Sequence, residues 1–108
     1  MFDFPKWGHW LEQAATKSMG KGFKAEFKLG DESAKRGMSF GIVGANAMGN
    51  FECWITGETD FTIMAPPSAE AKMVSHKWMQ VLTDETFEAA FNGFMAELQK
   101  HEERSGLL

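Results

Sequence analysis

The amino-acid sequence predicts an α+β fold: an N-terminal helix, an antiparallel β-meander of four to five strands, and a long C-terminal helix packed on one sheet face. Three observations predict it. Apolar residues recur at helical spacing near the N-terminus, alternate with polar residues through the middle, and return to helical spacing near the C-terminus. A chain of 108 residues is long enough for one hydrophobic core but not for two. Residues 1–108 are therefore expected to form a single domain.

The first helix is expected between the start of the chain and residue 20. Pro5 suits the first turn of a helix, with Asp3 or Phe4 just outside it. Gly20 and Gly22 supply an end, because glycine is common just past a helix C-terminus. Between these limits the apolar residues follow the spacing of one helix face: Trp7, Trp10, Leu11, Ala14 and Ala15.

Alternation of apolar and polar residues predicts the strands. Residues 23–29 form the first strand, residues 30–33 a turn, and residues 38–42 the second strand. Residues 44–50, rich in Gly, Ala and Asn, are expected to be a loop. A hairpin with one buried face follows, and its Gly-containing break falls at residues 57–59. Its first strand is expected to bury Phe51, Cys53 and Ile55.

Residues 68–82 fit two structures. Val74, Trp78 and Val81 have the spacing of a helix face, with Ser68 as a possible N-cap. The same segment suits a fifth strand that follows a return turn after the prolines at positions 66–67. Both readings stay open, and the strand is favoured.

The last helix is predicted from an N-cap and an apolar stripe. Thr83 is a suitable N-cap, and Asp84 and Glu85 then fall in the first turn, where the helix dipole favours acidic side chains. The helix is expected to end near Glu103. Its apolar stripe consists of Phe87, Ala90, Phe91, Phe94, Met95 and Leu98.

Composition and charge exclude several classes of function. The net charge of −4 argues against nucleic acid as the main partner, because phosphate binding requires concentrated Lys and Arg. No apolar run approaches the length of a membrane span, and the N-terminus lacks the basic region of a signal peptide. The single cysteine excludes an internal disulfide and fits a reducing cytoplasm. The protein is expected to be cytoplasmic.

The sequence contains no recognisable catalytic or cofactor-binding set. Cys53 is expected to be a buried thiol, and the glycines match no phosphate-binding motif. His76 with Glu70 is a weak candidate for a metal site, because no established ligand spacing is present. We expect no enzyme activity, no metal and no cofactor. The eight methionines are compatible with an adaptable binding surface, but most are expected in the interior.

One group of polar and aromatic residues stands out on the predicted hairpin. Glu52, Glu58 and Asp60 lie close to Trp54 around the hairpin tip. An aromatic side chain beside clustered carboxylates suits a protein-contact surface better than a reaction centre. The alternative reading is a set of solvated hairpin charges that aid solubility. These four residues are the candidate contacts for a partner.

The layout of the chain resembles the TriTu family of small bacterial immunity proteins. The resemblance rests on the tryptophan-containing first helix FPKWGHWLEQ, a strand and return around His76, and a final helix ending FMAEL. Its tightest part is the motif Trp54-x-x-Gly57-Glu58-x-Asp60. Family members are inferred to neutralise a cognate toxin in contact-dependent or type VI systems. The resemblance implies that Gly57 matters for the turn and Trp54 for packing or contact.

The sequence thus predicts an immunity protein that binds and blocks a cognate toxin domain, as a monomer or weak homodimer. Acidic residues near an aromatic anchor suit a basic toxin, since charge complementarity speeds association. Two alternatives belong to other classes. A secretion chaperone or effector adaptor is expected to dimerise and expose a large apolar face. A ligand-binding or enzymatic domain is expected to have a deep polar pocket that combines His76 with two carboxylates.

Overall fold

The computed structural model describes residues 2–30, 36–65 and 71–106, apart from the side chains at 78, 79 and 104–106. Over these residues the chain has the predicted α+β fold, with five strands between two helices. The elements in chain order are α1 Phe4–Gly20, β1 Lys24–Leu29, β2 Gly37–Val43, β3 Met48–Trp54, β4 Glu58–Ala65, β5 Lys72–Val81 and α2 Phe87–Gly106.

Helix α1 begins and ends where the sequence predicts. The Asp3 carboxylate accepts a hydrogen bond from the Lys6 backbone N–H at 3.2 Å, which makes Asp3 the N-cap, and Pro5 follows in the first turn. The helix ends at Gly20, and Gly22 has a φ of +93°. Glycine adopts such a φ without the steric cost that a Cβ imposes, so the chain turns directly into β1.

The strands form an antiparallel meander in the order β1-β2-β3-β4-β5. The predicted hairpin is the β3–β4 pair, in which Phe51 lies opposite Phe61. Residues 72–81 form the fifth strand rather than a helix, which confirms the favoured reading of this segment. The predicted turn residues 31–33 and the predicted return at 66–70 lie outside the described residues.

Both helices pack on one face of the sheet, α1 on β1 and β2, and α2 on β3 and β4. The inward side chains of the strands pack against the apolar stripe of each helix in one hydrophobic cluster. This confirms the apolar stripes that the sequence predicts for α1 and α2. Aromatic rings dominate the interior, and Phe40, Phe51, Phe87 and Phe94 are fully buried in it. Rings of this size contribute much of the apolar surface that stabilises a small domain.

The two helices are also joined directly. The Trp7 indole stacks on the Phe87 ring with centroids 4.5 Å apart. The Asp84 Oδ1 atom, just before α2, accepts hydrogen bonds from the Asp3 backbone N–H at 2.8 Å and from Trp7 Nε1 at 2.9 Å. These two donors hold the pKa of Asp84 below its ordinary value, because they stabilise the charged carboxylate.

The start and end of α2 differ from the prediction. The helix begins at Phe87, and Thr83 precedes a separate turn in which its C=O accepts the Phe87 N–H at 3.0 Å. Asp84 therefore binds α1 instead of the first turn of α2. The helix continues to Gly106 rather than ending near Glu103. Neither helix, over its described residues, is long and apolar enough to cross a membrane.

The predicted loop at residues 44–50 is shorter than expected, because β3 already begins at Met48. Gly49 is part of that strand and lies under helix α2. A Cβ on Gly49 would come within 2.8 Å of Phe94 Cζ, so the absence of a side chain lets the ring pack against the strand backbone. In the sequence Gly49 suggests a loop, but in the structure it is required for the packing of α2 on β3.

Candidate binding face

The sheet face opposite the helices is not covered by any element that the structure describes. Side chains alternate along a strand, so every second residue points away from the helices. We call this surface the open face. Antiparallel sheets commonly leave one face in water, so exposure by itself does not indicate a function. On the three central strands the open face consists of Gly37, Ser39, Gly41, Val43, Met48, Asn50, Glu52, Trp54, Glu58, Asp60, Thr62 and Met64.

All four candidate residues from the sequence lie together on the open face. Glu52 and Asp60 face each other directly across β3 and β4. Trp54 ends β3 and Glu58 begins β4, so these two residues flank the turn between the strands. Each of the four side chains is half-buried. The sequence placed them around the hairpin tip, and the structure places them on the two strands that lead into it.

Trp54 is oriented by a glycine on the neighbouring strand. Gly37 of β2 pairs with Trp54, and a Cβ on Gly37 would lie 3.1 Å from the indole Cδ1 atom and 3.2 Å from Nε1. The indole therefore lies over the Gly37 backbone, as aromatic residues do when they cover a strand glycine. A ring held in this way loses little conformational entropy when a partner packs against it.

Glu52, one of the carboxylates on the open face, is held by a neutral neighbour. Asn50 Nδ2 donates a hydrogen bond to Glu52 Oε1 at 2.7 Å, along the same strand. Asp60 faces Glu52 across the β3–β4 pair. Glu58, on the same face, adds a third carboxylate.

Gly57 has a structural role in the turn between β3 and β4. Its φ is +90°, and its N–H donates to the Trp54 carbonyl at 2.8 Å. Its own carbonyl accepts the Leu82 N–H at 2.8 Å, and a Cβ here would lie 2.5 Å from the Leu82 oxygen. Ile55, predicted on the buried face, is instead 46 % exposed, because the strand and its alternation end at Trp54.

Cys53 lies in the core, as predicted, with 1 % of its surface exposed. Burial raises the pKa of its thiol to about 11, because desolvation penalises the thiolate. The sulfur is therefore protonated at neutral pH, and the thiolate is the form that attacks substrates. Cys53 is positioned as a core residue on the face opposite Trp54 and Glu52.

The histidines are dispersed. His9 is exposed on α1, and His101 lies 3.9 Å from Glu97, one turn away on α2. Over the described residues, no group of three or more His, Cys, Asp or Glu side chains is placed to hold a metal ion. Glu70, considered in the sequence with His76, lies outside those residues.

A hollow of about 400 Å³ lies between β5 and α2. It bears on the ligand-binding alternative, because His76 lines it together with Lys77 and Gln80. The ligand-binding alternative predicts a pocket in which His76 lies beside two carboxylates. Among the described residues that line this hollow, Glu97 is the one carboxylate.

Sequence reasoning missed part of the open face. The sequence predicts a loop at Met48 and Asn50 and places most methionines in the interior. In the structure Met48 and Met64 lie side by side on β3 and β4, half-buried on the open face. Continuing the alternation back from Trp54 through Glu52 to Asn50 and Met48 would have placed all four on one face.

The fold is a two-layer α+β arrangement in which one sheet face is open. Its central strands carry an indole and three carboxylates, and β1 adds Lys24, Glu26 and Lys28 to the same face. No protein-family model matches the chain, and comparison with curated proteins and with solved structures finds no similar protein. Function is therefore inferred from the geometry of the open face and from the sequence resemblance.

Proposed function

We propose that this chain is a bacterial immunity protein, a non-enzymatic single domain in the cytoplasm that binds and blocks a cognate toxin domain. The toxin belongs to a type VI or contact-dependent system, and inhibition is stoichiometric, by covering the toxin's active site or its substrate approach. The resemblance of the Trp54 to Asp60 motif to the TriTu family supports the class. The open face supports a site of contact.

One observation carries the proposal. Two neighbouring strands bring an oriented indole, Trp54, and three carboxylates, Glu52, Glu58 and Asp60, onto the open face. Tryptophan is among the residues that contribute most to binding at protein interfaces. Flanking carboxylates then favour partners with basic surfaces.

The charge and size of the open face suit a toxin that acts on nucleic acid. Such toxins carry basic surfaces that bind phosphate. A chain with net charge −4 attracts them over distance and speeds their association. Five strands at a spacing of about 4.8 Å span roughly 20 Å across the sheet. Strands of about seven residues are about 24 Å long, so the flat area of the face is about 500 Å², more than half of the roughly 800 Å² that each partner contributes to a standard interface.

A specific observation also favours the secretion chaperone or adaptor. The edge strand β5 exposes apolar side chains, with Val81 68 % and Met73 48 % exposed. Exposed apolar strands at a sheet edge are suited to pairing with another chain. Size-exclusion chromatography with light scattering distinguishes the two functions. A monomer or weak dimer fits the immunity protein, and an obligate dimer fits the chaperone.

The test of the proposal is binding to the C-terminal domain of the large secreted protein expected to be encoded beside this chain. We define the acid-neutral variant as Glu52→Gln, Glu58→Gln and Asp60→Asn. It removes three negative charges from the open face and changes side-chain shape little. We expect its association rate, measured by biolayer interferometry at low salt, to fall by about tenfold or more.

The matched control removes the same number of charges from the helical side: Glu12→Gln, Glu85→Gln and Glu88→Gln, all exposed in the folded chain. We expect this control to bind within about twofold of wild type, since charges outside a contact contribute little. Trp54→Ala should raise the dissociation rate by about 30-fold. Circular dichroism verifies that each variant is folded. Equal losses in the acid-neutral and control variants would refute the assignment of the open face.

A further inference from the structure

Strand β5 forms one edge of the sheet, and among the described residues nothing pairs with its outer side. An edge strand presents unpaired backbone N–H and C=O groups, which an extended segment of another chain can bind by adding a strand. At ten residues β5 is the longest strand that the structure describes, and most of its described side chains are exposed. The edge is therefore long and accessible enough to bind a partner strand.

The charge of this edge differs from the charge of the whole chain. β5 contains Lys72, His76 and Lys77 and no acidic residue, whereas the net charge of the protein is −4. Both lysines are exposed, and neither forms an ion pair with a residue that the structure describes. On the opposite edge β1 is shorter, and its Lys28 lies 3.7 Å from Glu26. β5 is therefore the longer and the more basic of the two edges.

The two lysines of β5 leave the sheet on the same side. Lys77 pairs with Phe61 and Lys72 pairs with Ala65, and both of these β4 residues pack in the core. Directly paired residues share a face, so both lysines point to the side of the helices. Lysines five residues apart on a regular strand would point to opposite sides, but the register shift at Val74 adds one residue to β5. Their partners on β4 are four residues apart, which corresponds to about 13 Å.

The helical side of this edge has space for the side chains of an added strand. Helix α2 packs on β3 and β4, and the hollow of about 400 Å³ separates it from β5. The helix lines the hollow with small residues at Ala89, Ala90 and Gly93, and nothing lies within 4 Å of a Cβ built on Gly93. Lys77 lines the opposite wall. Glu97, the described carboxylate of the hollow, lies 3.9 Å from His101 on its own helix.

We propose that β5 binds an extended acidic segment of a partner protein, which adds to the sheet as a sixth strand. Carboxylates at positions i and i+4 of that segment then lie on the helical side, beside Lys77 and Lys72. The positions between them that point to the other side lie near the exposed Met73 and suit apolar side chains. This contact uses the sheet edge and not the open face, so it goes beyond the toxin contact and does not depend on it.

A second copy of this chain is a poorer occupant of the edge. If two β5 strands pair antiparallel over their full length, position 72 meets position 81, and Lys77 of each copy lies opposite His76 of the other. Each copy also adds two lysines and no carboxylate. Like charges that face each other across strands are destabilising, and inward-pointing lysines also oppose the addition of apolar strands. An acidic strand replaces this repulsion with attraction.

Three synthetic peptides of nine residues test the charge and the spacing. The acidic peptide has Val at the even positions, Glu at positions 3 and 7 and Thr elsewhere. The basic peptide has Lys at positions 3 and 7, and the shifted peptide has Glu at positions 3 and 6, which point to opposite sides of a strand. Titration into the labelled protein, followed by amide NMR, should shift the β5 signals with the acidic peptide. We expect the acidic peptide to bind about tenfold more tightly than the basic one, and the shifted peptide to bind less tightly than the acidic one.

Variants of the two lysines give the second arm. Lys72→Gln with Lys77→Gln should weaken binding of the acidic peptide by about fivefold, because two exposed ion pairs are lost. Lys72→Glu with Lys77→Glu should reverse the preference and bind the basic peptide. The matched control, Lys24→Gln with Lys28→Gln, removes two exposed lysines from the other edge. It should bind the acidic peptide within about twofold of wild type, since salt screens distant charges. Circular dichroism verifies that each variant is folded.

Several results would overturn the proposal. Equal affinity for the acidic and basic peptides, or an unchanged preference in the Lys72→Glu, Lys77→Glu variant, would show that the lysines do not select the strand. Shifts confined to β1 or to the open face would place the binding elsewhere. Shifts of the β5 signals that depend on the concentration of this protein alone would assign the edge to a second copy. None of these results bears on the toxin contact, whose variants lie on the open face.

Discussion

The contact between Gly49 and Phe94 makes a quantitative prediction about the packing of α2 on the sheet. A Cβ on Gly49 would lie 2.8 Å from Phe94 Cζ and 2.9 Å from Cε1, and Phe94 is fully buried. Gly49→Ala should therefore force the ring to move. Phe94→Leu removes the two atoms that the new methyl group would strike. The two substitutions should compensate each other.

The expected energies follow from this geometry. Overpacking a core costs about 1–3 kcal/mol, and replacing a strand glycine by alanine returns roughly 0.5–1 kcal/mol, so Gly49→Ala should destabilise by about 1–2 kcal/mol. Phe94→Leu loses roughly three buried carbons, at about 0.8 kcal/mol each, for a cost of about 2.5 kcal/mol. Independent effects would add to about 4 kcal/mol. Because the alanine methyl occupies the vacated space, the double variant should lose only about 2 kcal/mol.

Urea denaturation of the four proteins, followed by tryptophan fluorescence, measures the cycle. Equal m-values across the set would show that the unfolding transitions are comparable. The predicted coupling of about 2 kcal/mol lies well above the roughly 0.5 kcal/mol within which independent sites add. Additive effects would refute the packing of Phe94 on Gly49, and with it the placement of β3 under α2.

Two further predictions concern titrating groups. The pKa of Asp84 is lowered in the folded chain by its bonds to Asp3 and Trp7, so its stabilising effect is complete above the ordinary value of about 3.9 and is lost as the pH falls through the lowered folded value. The stability difference between wild type and Asp84→Asn, from denaturation at several pH values, should therefore shrink on acidification, and a constant difference would contradict this. Cys53, with a thiol pKa of about 11, should react with Ellman's reagent at pH 8 only as the protein unfolds. Reaction of the native protein at the rate of a free thiol would contradict its burial.

The parts of the fold that could be predicted are those governed by periodicity. Helical stripes and strand alternation indicate which side chains share a face. They therefore predict the two helices, the hairpin that contains Phe51 and Phe61, and the core position of Cys53. Periodicity also favoured a strand at residues 72–81. Strand alternation also predicts that four residues lie close together on the hairpin: Glu52, Trp54, Glu58 and Asp60.

The parts that could not be predicted depend on contacts between distant residues. The sequence places Asp84 as an acidic residue in the first turn of the last helix, yet its carboxylate accepts a hydrogen bond from Asp3, 81 residues away. Glu102 reads as a solvated residue at a helix end, yet its carboxylate accepts the Asn46 backbone N–H at 2.7 Å. Gly49 reads as a loop residue because nothing local indicates the ring above it. The periodicity of a sequence shows which face of a helix or strand is buried, but it does not show which distant residues pack on that face.

We propose that the chain contacts its partner through the open face. Amide and indole NMR spectra of the labelled protein, recorded with and without unlabelled toxin domain, test this claim most directly. If the partner binds the open face, the Trp54 indole signal and the amide signals of β3 and β4 will shift, while those of the exposed side of α1 and α2 will not. Shifts confined to the helices, with Trp54 unchanged, would contradict it.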